Sequence, residues 1–356
     1  MGGAINSKLP WWSWLAPVAG LAMVLGKVSP LSPMAVLMTL LLGASVFASV
    51  LHAEVVAARV GEPFGTLVLA IAITVIETGL ILSLMMSSEQ PALLRDAVFA
   101  TLMIALNGIM GMALILGGAR HFEQGFAARG ASAFLTVVIT IATMALVLPN
   151  TTTSLPGPVF APGQLLFVVA SSLLLYGIFL FVMTVRHRND FLHGHGIEPT
   201  GAPPSNAVTL RALALLCLAL LTVVLLAKAL APALDAGVNA MGAPATVVGV
   251  LIAAIVLLPE GVTALRAARR NQLQMALNLT LGSVLACIGL TIPVIGLWSL
   301  LAGQPLLLGL APSSVVLLAL TFLVSALTLA TGRTTVLQGA VHLVIFGTFL
   351  LLSFQP

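Results

Sequence analysis

Runs of about twenty apolar residues recur along this chain, broken only by short polar segments, and this recurrence constrains the fold more than any other feature. The run from Gly163 to Val185 is typical: it holds no charged residue. In water such a helix would have no polar face to present, whereas a bilayer core about 30 Å thick is crossed by a helix of this length. Composition leads to the same place. Of 356 residues, 60% are hydrophobic and 7% charged, against about 25% charged in a soluble domain, and the mean hydropathy is +1.17. Fourteen Lys and Arg with ten Asp and Glu cannot cover the surface of a 36.6 kDa globule, which excludes a water-soluble protein. No stretch is long and polar enough for a separate soluble domain, so the chain reads as one all-α integral membrane domain.

Hydropathy places eleven candidate transmembrane helices, at roughly 12–27, 32–58, 64–87, 96–118, 132–149, 163–185, 208–231, 242–262, 272–301, 312–330 and 335–354. Turn chemistry separates them, as in Gly61-Glu62-Pro63, Pro156-Gly157-Pro158 and Gly201-Ala202-Pro203-Pro204. Lys8 precedes Trp11, Trp12 and Trp14 and then an apolar run without a small-x-small cleavage site, the pattern of a retained first span with an aromatic belt. The longest polar segment, Arg186 to Asn206, divides the rest into two comparable halves. The expected layout is a leading helix in 1–31, a first five-helix repeat in 32–185, a cytoplasmic linker in 186–207 and a second five-helix repeat in 208–356.

Charge sets the expected orientation. With the N-terminus cytoplasmic, only Lys27, Arg95 and Lys228 of the 14 basic residues fall on the far side, a positive-inside bias of eleven to three. Because five is odd, the second set of helices enters the membrane from the face opposite to the first, which is the arithmetic of an inverted-topology repeat. Inverted repeats are a common transporter plan, with the site near the bilayer midplane where the repeats meet. Coincidence is the competing account, since sequence similarity between the halves is faint. The basic residues are scattered singly or in twos, so a pI near 9.7 reports topology and not a nucleic-acid partner. Cys217 and Cys287 lie inside apolar runs without CxxC spacing and read as packing residues.

Ionisable groups inside spans are expensive, and two acids stand out. Glu77 lies about 20 Å along the third helix at ~1.5 Å per residue, too deep to reach water by snorkelling. Glu260 sits between Pro259, which removes a backbone donor, and Gly261, which weakens the helix, so that local carbonyls can turn toward a cavity. The two helices run in opposed directions in the expected topology, and the carboxylates can face each other across the pseudo-twofold axis. Such a pair suits a divalent cation or one or two monovalent cations, and equally protons. Burial disfavours the charged form, so the empty site holds protons and releases them when a cation supplies compensating charge. The alternative is a structural pair bonded to Ser or Thr hydroxyls.

Other polar residues carry weaker signals. Asn107, Asn278 and Ser283 either extend the site or tie helices together. Glu54 and Glu62 bracket Arg59 near the end of the second helix, where they guide ions into a vestibule or are simply solvated. His342 in the last span is a candidate proton relay or a satisfied core residue. His193 and His195, without a third ligand, make a poor metal site and read as part of a solvated loop.

The run Gly61-Glu62-Pro63-Phe64-Gly65-Thr66-Leu67 through Glu77 resembles the first alpha-repeat motif of the cation/proton exchanger branch of the Ca2+:cation antiporter superfamily, and most closely its bacterial ChaA-type sodium/calcium:proton antiporters. Pro259-Glu260-Gly261, Asn271-Gln272, Asn278, Gly282-Ser283 and Thr291-Ile292-Pro293 are similar to the second alpha-repeat, and Gly332-Arg333-Thr334-Thr335-Val336-Leu337-Gln338-Gly339-Ala340 to the last-helix signature. The resemblance runs from about residue 50 to the end. It implies one leading helix plus two inverted five-helix repeats, and it carries the two exchange glutamates onto Glu77 and Glu260. Where broader relatives place a Gly-Asn pair, this chain has Ile73-Thr74 and Val256-Leu257, and a glutamine that follows the Gly-Ser pair is here Ala286. Fewer neutral oxygens remain for Ca2+, which takes six to eight ligands, so the balance tips toward a monovalent ion.

The expected function is therefore export of Na+, Ca2+ or K+ in exchange for protons by alternating access, in the bacterial inner membrane with the N-terminus cytoplasmic and the C-terminus periplasmic. The partners are membrane lipids, the transported cations and protons, with no nucleic acid. A proton gradient drives it, no cofactor is needed, and no Walker motif indicates ATP-driven transport. A cation channel would also use carboxylates. An intramembrane hydrolase lacks support, because HExxH, GxSxG with a companion His and an aspartyl pair are all missing, so the chain is not read as an enzyme.

Overall fold

The computed structural model describes residues 9–27, 33–61, 64–88, 91–186, 204–244 and 246–355, which fall into two compact units. One unit comprises Met1–Gln90 and His195–Gly242, the other Pro91–Gly194 and Ala243–Pro356, so each draws on both sequence halves. The first unit contains α1 (Trp12–Leu25), α2 (Pro33–Val60), α3 (Phe64–Ser88) and α7 (Asn206–Ala240). The second contains α4 (Leu93–His121), α5 (Ala128–Thr151), α6 (Pro162–Arg186), α8 (Thr246–Arg269), α9 (Leu273–Ala302), α10 (Pro312–Ala330) and α11 (Val336–Phe354), with a two-stranded ribbon of β1 (Gln124–Gly125) and β2 (Arg333–Thr334).

Among the described residues ten helices are long and apolar enough to cross a membrane, and α1 is a shorter apolar helix preceding them. All eleven coincide with the candidate spans of the sequence, which gives one leading helix and two sets of five. The largest boundary difference is at α7, expected to end at residue 231 but continuing through Pro232 to Ala240. Proline costs that turn one hydrogen bond without ending the helix, as transmembrane helices tolerate when neighbours support the backbone.

In the first unit α2 and α7 pack together and against both α1 and α3. Lipid gives helices no hydrophobic reason to associate, so close approach and hydrogen bonds must hold them. Gly79 supplies the approach of α3 to α7, since a Cβ there would lie 2.5 Å from Val224. α1 is held by polar contacts at its proline. Pro17 cannot donate to the Ser13 carbonyl four residues back, and the buried His52 of α2 fills the gap with Nε2 3.1 Å from that oxygen. Thr222 of α7 donates to the Pro17 carbonyl at 3.1 Å.

The second unit is built around α4, buried over 83% of its apolar window where α11 is buried over 28%. α4 is interrupted by a π-turn, Ile104–Ile109, and α9 by another, Cys287–Thr291. These are the third helices of their sets of five, so this irregularity repeats, whereas the π-turns Thr143–Val147 in α5 and Val182–Arg186 at the end of α6 have no counterpart in α10 or α11. The loops repeat too. The segment between α4 and α5 pairs through β1 with β2, between α10 and α11, with Gln124 opposite Thr334. The equivalent segment between α9 and α10 bonds the loop between α5 and α6: Leu308 and Gly309 donate to the Pro158 carbonyl, and Asn150 donates to Leu310. Arg95 at the start of α4 donates to the Gly309 carbonyl at 3.2 Å, and Gln274 at the start of α9 accepts from the Ala127 amide at 2.6 Å. Exchanging the two sets of five maps one clasp onto the other, the internal symmetry that an inverted repeat requires.

α4 and α11 meet along a seam of small residues. A Cβ at Gly111 would lie 2.9 Å from the Cβ of His342, and one at Gly339 would lie 2.7 Å from the Gly111 carbonyl and 2.8 Å from the Ile115 amide. α11 begins at a capping box, in which Thr335 accepts from the Leu337 amide and Gln338 accepts from the Thr335 amide.

Candidate functional site

Glu77 lies midway along α3 and is 3% exposed. It belongs to the buried stripe Ile73, Ile76, Leu80, Ile81 and Leu84, while Ile71 and Val75 on the other face are exposed. The 3.6-residue period thus turns this carboxylate inward with the apolar face. Thr74 and Thr78 flank it, both buried, and the Thr74 hydroxyl donates to the Ala70 carbonyl.

Glu260 is 6% exposed in the second unit. Pro259 lies inside α8, leaving the Ile255 carbonyl without its usual intrahelical donor, and the Thr263 hydroxyl donates to the Pro259 carbonyl at 2.9 Å. The next residue brings the helices close, because a Cβ at Gly261 would lie 3.1 Å from Ile109, the last residue of the α4 π-turn. Gly249 does the same one end away, against the backbone of Asp96 and Ala97. That π-turn packs against α8, the first half of α9, α10 and α11. Widened turns of this kind are frequent at functional sites.

Asn107 projects from the π-turn into a fully buried polar network. Its Oδ1 is 3.0 Å from His342 Nδ1, and its Nδ2 donates to Thr321 at 2.9 Å and approaches the Met103 sulfur at 3.8 Å. Thr328 Oγ1 lies 3.2 Å from His342 Nε2, and the imidazole also bonds the backbone of Leu106. The network fixes the tautomer. A thioether only accepts, so the Asn107 amide turns its NH2 toward Met103 and its oxygen toward His342; Nδ1 then carries the proton and Nε2 accepts from Thr328.

The structure thus joins two residues that the sequence suggested separately, Asn107 and His342, and adds Thr321 and Thr328. The signal for the additions was present: Thr321, Ser325 and Thr328 recur at i, i+4 and i+7 on α10, all buried. Asn278, Gly282 and Ser283 lie in the half of α9 that packs on the π-turn, with Asn278 accepting from Gln274 at 2.9 Å and Ser283 buried. Glu54 is exposed on α2, and Arg59 donates to Asn206 at 2.6 Å. Glu62, His193 and His195 lie outside the described residues. Of the cysteines, Cys287 is buried as expected, whereas Cys217 is exposed on α7 and is not a packing residue, since a helix so apolar presents some small side chains outward. Among the described residues no group of three His, Cys, Asp or Glu could hold a metal ion.

Comparison with known proteins agrees with this architecture. The family model of the sodium/calcium exchanger protein matches residues 32–185 and 211–355, the two sets of five helices. The y4hA protein of Sinorhizobium fredii is 50% identical over 359 residues, 99% of this chain and 98% of its own. The sodium-potassium/proton antiporter ChaA of Escherichia coli is 33% identical over 316 residues, 87% of this chain and 86% of its own. The solved structure of native YfkE shares the fold at a TM-score of 0.71 and 16% identity, covering 97% of this chain and 100% of that one. The chain therefore belongs to the sodium/calcium exchanger protein family, a family of membrane transporters and not of enzymes.

Proposed function

We propose that the protein is a secondary active antiporter of the bacterial inner membrane that exports Na+, K+ or Ca2+ in exchange for protons, with Glu77 and Glu260 as the carboxylates that take up cation and proton. The observation that carries this reading is the burial of both acids deep within spans, at 3% and 6% exposure. A carboxylate so placed stays charged only when a cation compensates it, and otherwise holds a proton. Exchange of one for the other, in a structure open to one side at a time, couples the two fluxes. The proton gradient supplies the driving force, so no nucleotide or cofactor takes part. The reading is supported by the 33% identity to a sodium-potassium/proton antiporter. With Thr74 and Ala286 where relatives offer amide oxygens, the site favours a monovalent cation over Ca2+.

Proton-coupled flux in proteoliposomes, with Na+, K+ and Ca2+ in turn, tests this directly. Movement of cation against its gradient at the expense of a proton gradient is expected, and flux only down the cation gradient would identify a channel. Glu77→Gln and Glu260→Gln keep shape and hydrogen bonding while removing the titratable charge. Each is expected to abolish exchange in protein that remains monodisperse on gel filtration. Normal exchange by either variant would move the exchanged charge elsewhere.

A further inference from the structure

We propose that His342 is a positioning residue for Glu260, acting through Asn107 and the π-turn of α4. This rests on the reading of Glu260 as an exchange carboxylate. His342 is fully buried, and its ring clamps α4 to α11 and α10 through three elements at once. Asn107 in turn is held from its other side by Thr321. The clamp closes on the irregular turn and not on regular helix, where an i→i+5 bond pattern leaves the backbone most able to slide into the ordinary α register. Two residues beyond Asn107, Ile109 abuts Gly261, the residue next to Glu260.

The contacts leave little slack. A Cβ at Gly261 would lie 3.1 Å from Ile109, and one at Gly249 would lie 2.8 Å from the Ala97 amide, so α8 is laid against α4 at two points. Glycine at 111 lets α11 approach α4 closely beside the ring, since a Cβ there would lie 2.9 Å from the Cβ of His342, and this seats the imidazole against α4. A change of register in the π-turn moves Ile109, whose side chain covers Gly261, and in this way reaches the turn of α8 that carries Glu260.

On its Nδ1 side the same network argues against a proton wire. Nδ1–H is committed to the Asn107 amide oxygen and the Leu106 backbone, neither of which has a proton to pass on, and the chain beyond Asn107 ends on the Met103 thioether. Around the ring, α10 and the π-turn contribute no charged side chain. The titratable groups of the other packed helices are Arg95, Asp96, Arg120 and His121 toward the ends of α4, and Glu260, Arg266 and Arg269 on α8. His342 thus acts as a fixed neutral donor.

Sodium-driven proton flux in proteoliposomes, read across pH for apparent KM and kcat, separates these roles. His342→Asn places an amide nitrogen near the position of Nδ1 and has no proton to titrate, whereas His342→Leu removes the bond. For the leucine variant an apparent KM for Na+ raised about tenfold or more is expected, with kcat less affected, as for loss of an outer support of a cation ligand. The asparagine variant is expected to restore KM to within about twofold of the parent, with the parent's pH profile. Thr321→Val, which frees Asn107 on its other side, is expected to move KM in the same direction as leucine, and it tests the proposal should the leucine variant fail to fold. Loss of the acid limb of the pH profile in His342→Asn would make the histidine a proton carrier and overturn the proposal. So would unchanged KM in both His342→Leu and Thr321→Val. Normal exchange by Glu260→Gln would instead remove the reading on which the proposal stands, whatever the histidine variants do.

Discussion

A carboxylate at the middle of a transmembrane helix costs several kcal/mol unless its surroundings compensate it, and the chain places such a group twice. Glu77 lies in a regular turn beside two buried threonines, Glu260 in a turn weakened by its neighbours Pro259 and Gly261. Both acids were legible in the sequence, because a lone Glu in an apolar run is visible at a glance. The partners of Asn107 were not: His342 lies 235 positions away, and no local pattern connects them. Glycines divide in the same manner. Gly339 and Gly347 look alike in sequence, yet a Cβ at Gly339 would meet the α4 backbone within 2.8 Å while one at Gly347 would meet nothing within 4 Å. Gly339→Val is therefore expected to destabilise the detergent-solubilised protein by about 1–3 kcal/mol, the usual cost of overpacking. Gly347→Ala is expected to leave the melting temperature within a degree or two, since substitutions that disturb no packing stay within about 0.5 kcal/mol. Equal melting temperatures for the two variants would contradict the α4–α11 seam.

At the scale of elements, hydropathy located every membrane-length helix among the described residues and mispredicted mainly where one ends, at α7, because the continuation of a helix past a proline depends on what packs around it. The π-turns in α4 and α9 had no sequence signal. An extra residue in a turn changes neither hydropathy nor propensity, and it is recognised only by the backbone bonds it displaces. Pro259 is different, being both visible and interpretable. Pro259→Ala restores a donor to the Ile255 carbonyl and removes the clash that weakens α8. The expected result is a protein at least as heat-stable as the parent whose exchange rate falls several-fold, because the Ile255 carbonyl left without a donor one turn before Glu260 is then tied into the helix. Thermal unfolding and initial rates in proteoliposomes measure the two halves of this statement, and an unchanged rate would mean that the carbonyl Pro259 leaves open has no part in transport.

For the whole molecule the inverted arrangement predicts where the ends of the second set of helices lie. Five crossings separate the segment between Arg186 and Asn206 from the C-terminus, so reporters placed in these two regions are expected on opposite faces, with the central segment cytoplasmic by its basic charge. Cysteine accessibility at exposed sites gives the same information in intact cells. Finding both on one face would remove the odd count of crossings and the inverted repeat with it. By itself the sequence determined how many helices there are, how long they run and which carry charge, because hydropathy is a sum over neighbouring residues and the bilayer thickness is fixed. Tertiary structure alone decided that the chain assembles as two units which each take helices from both halves, and that Asn107 meets His342 and Ile109 meets Gly261. Such meetings depend on helix crossings and on a one-residue widening of a turn, and these are set by close packing between segments far apart in the chain, where a sum over neighbours carries no information.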